Sequence, residues 1–218
     1  ELSESLLSAN LIWKAIDENF DSGSPHTVEL KDYELEIGIH KDSILINYPF
    51  LKDSLLYDLT FFGIDSAGNS SDTLFITNIL YDVSKPIIDL IYPKSFSYIN
   101  NYELSYTISE KIAQGEVLWE RTGGNNDPNF IHNQIMDEIE LDRNEVLFES
   151  LKDSTISLVN GSLYSISIIG TDLAGNTSRS EVVKNIFYDS IKPTLIVDEI
   201  ADNDFINKIG FDYILSEN

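Results

Sequence analysis

The sequence predicts an all-β chain, a tandem array of β-sandwiches with a period of about 107 residues, on three observations. The segment Leu56–Pro86, LYDLTFFGIDSAGNSSDTLFITNILYDVSKP, returns as Leu163–Pro193, LYSISIIGTDLAGNTSRSEVVKNIFYDSIKP. Tyr57 and Tyr164, Gly63 and Gly170, Asp65 and Asp172, Ala67 and Ala174, Asp82 and Asp189, and Pro86 and Pro193 are all separated by that same interval. A domain-sized period marks a repeat of whole modules. Apolar side chains alternate with a period of two in many short runs separated by turn residues, and no run sustains helical periodicity.

The elements follow in order. Leu2-Ser3-Glu4, Ile108-Ser109-Glu110 and Leu215-Ser216-Glu217 recur at nearly the same interval. Each mark closes a strand, alternating as Leu104, Tyr106, Ile108 in one copy and Phe211, Tyr213, Leu215 in the next. A single large aromatic stands in the strand that comes next, Trp13 in LIWKA and Trp119 in VLWER. Two facing strands with a Trp on the second is the pattern of strands B and C in an immunoglobulin-type (fibronectin III-like) sandwich, where the Trp packs the core. Residues 17–25 and 123–134 are turn chemistry that differs between copies. Short strands are expected around 138–141, 146–148 and 156–159.

Leu158, Gly161 and Tyr164 are spaced L-x-x-G-x-x-Y, as in a tyrosine corner, where the phenol closes onto backbone just upstream. The first copy keeps Leu51 and Tyr57 but carries Ser54 in place of the Gly. Tyr164, Ile166, Ile168 and Gly170 then alternate with Ser165, Ser167 and Ile169, giving a strand with one buried face. Asp172 to Asn176 supplies an Asp that can bond amides ahead of it and a Gly able to take positive φ, so the chain turns into a second strand ending near Tyr188. The Lys-Pro beyond it forces an extended connection. Residues 84–191 therefore make a complete unit. Residues 1–83 are a unit lacking its first two strands, and residues 192–218 are the first two strands of a third.

Composition bounds the function. With 218 residues, 42% of them hydrophobic, the chain can bury cores for about two domains. A formal charge of -23 repels nucleic acid and anionic membrane surfaces. The absence of cysteine excludes disulfides and thiolate metal sites. No apolar run approaches the roughly 20 residues that span a bilayer. There is no G-x-S-x-G, no phosphate-binding glycine loop and no Cys and His pairing, so an enzyme is not expected. His26, His40 and His132 show no metal-ligand spacing and read as solvated loop or strand positions. Asp202-Asn203-Asp204 lacks the Gly and distal Glu of an EF-hand and reads as a turn.

The combination Y-x-x-x-x-x-G-x-D-x-A-G-N, a following strand and D-x-x-x-P resembles the bacterial Ig-like repeats of large secreted or surface-anchored adhesins and extracellular fibres, over essentially the whole chain. In that family the linker more often reads D-T-x-x-P. Here it is Asp82-Val83-Ser84-Lys85-Pro86 and Asp189-Ser190-Ile191-Lys192-Pro193, and the Lys before each Pro departs from the pattern. In an Ig-type topology the B to C loop, the F to G loop and the entering linker share one pole. Asp82, Glu110, Asp172 and Asn176 would then meet at the entrance of the complete unit, all oxygen ligands of the kind Ca²⁺ takes. Glu4 and Asp65 are the equivalents toward the start of the chain, and Asp189 and Glu217 those toward its end. The resemblance implies Ca²⁺ at these junctions, stiffening the linkers. The alternative is that Asp172 caps its turn, Glu110 is a solvated strand end, and Lys85 or Lys192 neutralises the cluster.

The resemblance also implies a bacterial extracellular or cell-surface setting and a structural role as stalk, spacer or filament segment, with neighbouring repeats or fibre copies as partners. Two other readings stand beside it. One is an adhesin module that grips a surface glycan or host protein through variable loops such as 123–134. The other is a subunit in which residues 192–218 complete the strand-deficient first unit of a neighbouring copy, head to tail, by strand addition.

Overall fold

The computed structural model describes residues 2–40, 50–136, 147–150, 156–198, 206, 210 and 212–216. Among these the chain is all-β, with fifteen strands and one 3₁₀ turn at Asp32–Leu35. Two compact units divide it: Glu1–Lys85 with Leu173–Asn176, and Pro86–Asp172 with Thr177–Asn218.

The first unit contains one antiparallel sheet in the order β2-β1-β3-β4, formed by β1 (Leu6–Ala15), β2 (His26–Glu29), β3 (Leu55–Asp65) and β4 (Leu74–Tyr81). Alternation along β1 turns Ala9, Leu11 and Ala15 to one side. Ala9 and Leu11 cluster with Val28 and Leu30, flanked by Leu6, Leu35, Leu59 and Phe61. Strand β4 is an edge, and Leu74, Phe75, Ile76 and Leu80 along it are exposed.

The second unit places two sheets on one apolar core, a β-sandwich arrangement. The three-stranded sheet runs β10-β7-β5, from β5 (Ile88–Tyr92), β7 (Glu103–Ile108) and β10 (Leu147–Ser150). The larger sheet runs β6-β13-β11-β8-β9, from β6 (Tyr98–Ile99), β8 (Ile112–Gly124), β9 (Ile131–Met136), β11 (Ser162–Asp172) and β13 (Val183–Tyr188), with β12 (Thr177–Arg179) paired to β11. All pairs are antiparallel except β6 with β13. The long β8–β11 ladder is the spine, matching Ser162 with Gly124 at one end and Asp172 with Ile112 at the other.

Tyr106, Val117, Trp119, Tyr164, Ile168 and Ile186 are fully buried in this core, each at 0% exposure. Truncating an aromatic such as Trp119 to Ala would cost about 3–5 kcal/mol. The sheets meet closely at Gly170, where a Cβ would lie 2.8 Å from Ile88 Cδ1, so a side chain there would require the end of Ile88 to move aside. A separate hairpin of β14 (Leu195–Asp198) and β15 (Asp212–Leu215) ends the described chain.

One expected strand is absent: residues 156–159 belong to no ladder. Ile156 and Leu158 still point into the core, which explains their alternation, while the Val159 N–H is taken by the Tyr164 hydroxyl. The expected strand at 138–141 and the expected turn at 202–204 lie outside the described residues.

Candidate functional site

The tyrosine corner forms in both copies. Tyr164 OH accepts the Val159 N–H at 2.9 Å, and Tyr57 OH accepts the Lys52 N–H at 2.7 Å. Ser54 stands where the second copy has Gly161, and both adopt positive φ, 61° and 76°. Serine thus bears a left-handed conformation that glycine takes freely.

Each corner phenol also donates to a buried aspartate from the variable loop. Tyr164 donates to Asp127 Oδ2 at 2.5 Å, and Tyr57 donates to Asp21 Oδ2 at 2.7 Å. The same oxygens receive His132 Nε2 at 2.6 Å and His26 Nε2 at 2.7 Å. The other oxygen accepts the Asn129 N–H in one copy and the Gly23 N–H in the other. A carboxylate only accepts, so each histidine carries its proton on Nε2. Hydrogen bonds from His26 and then Tyr57 hold Asp21 below its ordinary value. At Asp127 burial works to raise the value, but the bonds from His132 and Tyr164 outweigh it, and the carboxyl is lowered. Burial, then the bond to Asp127, pushes Tyr164 up to about 12.

With Asp21 1% and Asp127 5% exposed, these carboxylates are closed to a substrate and serve as clamps between loop and corner. The solvated positions expected for His26 and His132 are therefore corrected. His132 is buried, His26 nearly so, and each is held by its carboxylate; only His40 keeps a local bond, to the Glu36 carbonyl. The signal was present as D-x-x-x-x-H, at Asp21 and His26 and again, one repeat later, at Asp127 and His132.

Of the expected metal-ligating residues, Glu110 and Asp172 come together in the second unit, with a carboxylate oxygen of each within 4.8 Å. Asp172 is 3% exposed at the end of β11, and Glu110 is half-buried between β7 and β8. In the first unit Asn176 Nδ2 donates to the Asp82 carbonyl oxygen at 3.1 Å, and Asp82 Oδ1 accepts the Ser84 N–H at 3.1 Å. Asp65 is occupied by its own turn, accepting the Ala67 and Asn69 N–H groups and Asn69 Nδ2, each at 2.8 Å. The Asn69 side chain and then its amide hold that carboxyl below its ordinary value. Asp189 accepts the Ile191 N–H at 3.1 Å, Glu4 is exposed, and Glu217 lies outside the described residues.

A second clamp holds the chain leaving each unit. Asp53 accepts the Val83 N–H at 2.7 Å and the Ser84 hydroxyl at 2.6 Å. At the equivalent position of the next repeat, Asn160 Oδ1 accepts the Ser190 N–H at 2.7 Å. The hydroxyl of Ser84 and then the Val83 amide keep the Asp53 carboxyl low.

Two surface features stand out in the second unit. An open groove of about 510 Å³ is lined by Ala113, Gln114, Gly115, Met136, Ile169 and Thr171. Tyr98 is 76% exposed and packs on Phe187 with ring centroids 5.1 Å apart, while Phe96 is 75% exposed at φ 66°. No helix among the described residues is long and apolar enough to cross a membrane. The sequence matches no protein-family model and no curated protein.

Proposed function

We propose that the chain is a structural segment of a long extracellular protein of tandem Ig-like modules, serving as a stalk, spacer or filament. The observation that carries this reading is the recurrence, at the period of the sequence repeat, of the same corner, the same Asp-His-Tyr network and the same clamp on the outgoing strand. All are devices that fix loops and linkers, and none presents a reactive group to solvent. Modules so joined resist bending because the exit strand is tied down before the proline.

Ca²⁺ at the junction, held by Asp82, Glu110 and Asp172, is the second part of the proposal. The close Glu110 and Asp172 oxygens support it, since two carboxylates so placed suit a hard cation. Calorimetric titration of the chelator-treated chain with Ca²⁺ tests it. Binding should release or absorb heat and raise the melting temperature, with about 2.7 kcal/mol of stabilisation at a hundredfold excess over Kd. Asp172→Asn should abolish both signals. No heat and no shift in the parent chain would end the metal proposal while leaving the spacer role.

A second reading is favoured by the exposed Tyr98, packed on the half-buried Phe187, and by the exposed Phe96, the kind of aromatic surface a glycan- or protein-binding module uses. A glycan panel separates the readings: saturable binding lost in Tyr98→Ala supports the adhesin, and its absence supports the spacer.

A further inference from the structure

The clamp on the outgoing strand differs between the two repeats in its chemistry. In the first repeat Asp53 makes the clamp and Ser54 follows it at φ 61°, whereas in the second Asn160 makes it and Gly161 follows at φ 76°. Asn160 and Gly161 are the only asparagine-glycine pair in the sequence. In such a pair the glycine nitrogen can attack the asparagine Cγ, because no Cβ on the glycine obstructs the approach. The nitrogen gives up its proton, ammonia leaves, and a cyclic imide forms. Water then opens the imide at either of its carbonyls, giving aspartate or the isomer in which the main chain runs through the former side chain. The balance is one amide and one water in, one carboxyl group and one ammonia out.

The fold engages both reacting groups. The Gly161 N–H donates to the Tyr188 carbonyl at 2.8 Å, and the Ser190 N–H donates to Asn160 Oδ1 at 2.7 Å. Asn125 braces the same turn, its Nδ2 donating to the Asn160 carbonyl at 2.8 Å and its N–H to the Gly161 carbonyl at 3.0 Å. An imide nitrogen carries no proton, so the ring closes only after the bond from Gly161 to Tyr188 has broken. Tyr188 ends β13 and Ser190 lies just beyond it, so both bonds open together when the outgoing strand lifts.

We propose that Asn160 is a site of spontaneous modification, its amide converting to a carboxylate at a rate set by release of the outgoing strand from this clamp. The two products act differently on the clamp. Aspartate reproduces the group that the first repeat already uses, where Asp53 accepts the Val83 N–H at 2.7 Å and the Ser84 hydroxyl at 2.6 Å, so the clamp survives. The isomer lengthens the main chain ahead of Gly161 and carries its N–H away from Tyr188, so the clamp is lost. The first repeat has no such chemistry, because Asp53 carries no amide to lose and Ser54 brings a Cβ to the approach. The proposal does not depend on the spacer role, and its failure would leave that role standing.

Peptide mapping by mass spectrometry of the full chain, held at mildly alkaline pH, tests it, with electron-transfer fragmentation to tell the isomers apart. In urea, where the clamp is gone, Asn160 should convert before every other asparagine. In the folded chain it should convert about tenfold or more slowly than in urea, since two hydrogen bonds must open first. Hydrogen exchange at the Gly161 amide should be slowed by a similar factor, because both reactions wait on the same opening. Ser190→Pro removes the donor to Asn160 Oδ1 and should bring the rate back toward the value in urea. Chain carrying the isomer should melt below the parent, whereas Asn160→Asp should melt with it. Conversion as fast in the folded chain as in urea would overturn the proposal. So would an Asn160 that never converts while the Gly161 amide exchanges, or a folded Ser190→Pro that converts no faster than the parent.

Discussion

The Asp127 carboxylate has three donors trained on it inside the second unit, and Asp21 repeats the arrangement in the first. Removing the phenol oxygen leaves Asp127 short of a donor and the Val159 N–H without its acceptor. Tyr164→Phe should therefore cost about 2 kcal/mol in chemical denaturation, with a similar loss for Tyr57→Phe in its own unit. Two pH limits follow from the same groups. Asp21 and Asp127 are held below their ordinary value of 3.8, so their contribution is present above about that pH and is lost as pH falls through the lowered values. Tyr164 and Tyr188 are pushed from 10.0 up to about 12, so their contribution is intact below pH 10 and disappears as pH rises through about 12. Thermal melts across pH, with tyrosinate absorbance, should show both limits. Tyr164 was legible in sequence because the corner has a fixed spacing of Leu, Gly and Tyr. Asp127 and His132 were not, because the loops around them share little beyond that one pair, whereas the framework repeats throughout.

Strands β4 and β13 both break register at an asparagine. Two residues of β4 oppose one of β3 between Tyr57 and Leu59, and two of β13 oppose one of β11 between Tyr164 and Ile166. Asn78 and Asn185 occupy these bulges at φ 60° and 58°. Asparagine tolerates the left-handed region, and a β-branched residue does not. Asn185→Val should cost about 1–2 kcal/mol in chemical denaturation, whereas Asn185→Gly should be close to neutral. An equal loss from both would show that the side chain matters and the backbone conformation does not. The strands themselves were readable from alternation, as in β11, whose inward positions Tyr164, Ile166, Ile168 and Gly170 are buried as predicted, although Ser165 and Ser167 on its other face are buried as well, where one buried face was expected. The bulges were hidden because a one-residue insertion looks like ordinary alternation slipping by one. The unpaired segment 156–159 reads as a strand for a related reason, since core-facing alternation does not require a ladder partner.

At the scale of the whole chain, 37 acidic residues against 14 basic ones give a net negative charge that opposes association of like-charged copies. The all-β character was plain from the turn spacing and the lack of helical runs. The acidic pole was legible in part: Glu110 and Asp172 do converge, but Asp65 satisfies its own turn. Sequence gives the residue type in such cases, while the competition between backbone amides and a cation is decided by local geometry. A single sandwich module acting as a mechanical unit is the central claim, and single-molecule stretching of the chain between its ends tests it most directly. The expected trace shows an abrupt rupture that releases about 35 nm, the extended length of one repeat of the sequence. Smooth extension without a rupture, or release of the entire chain in one step, would contradict it.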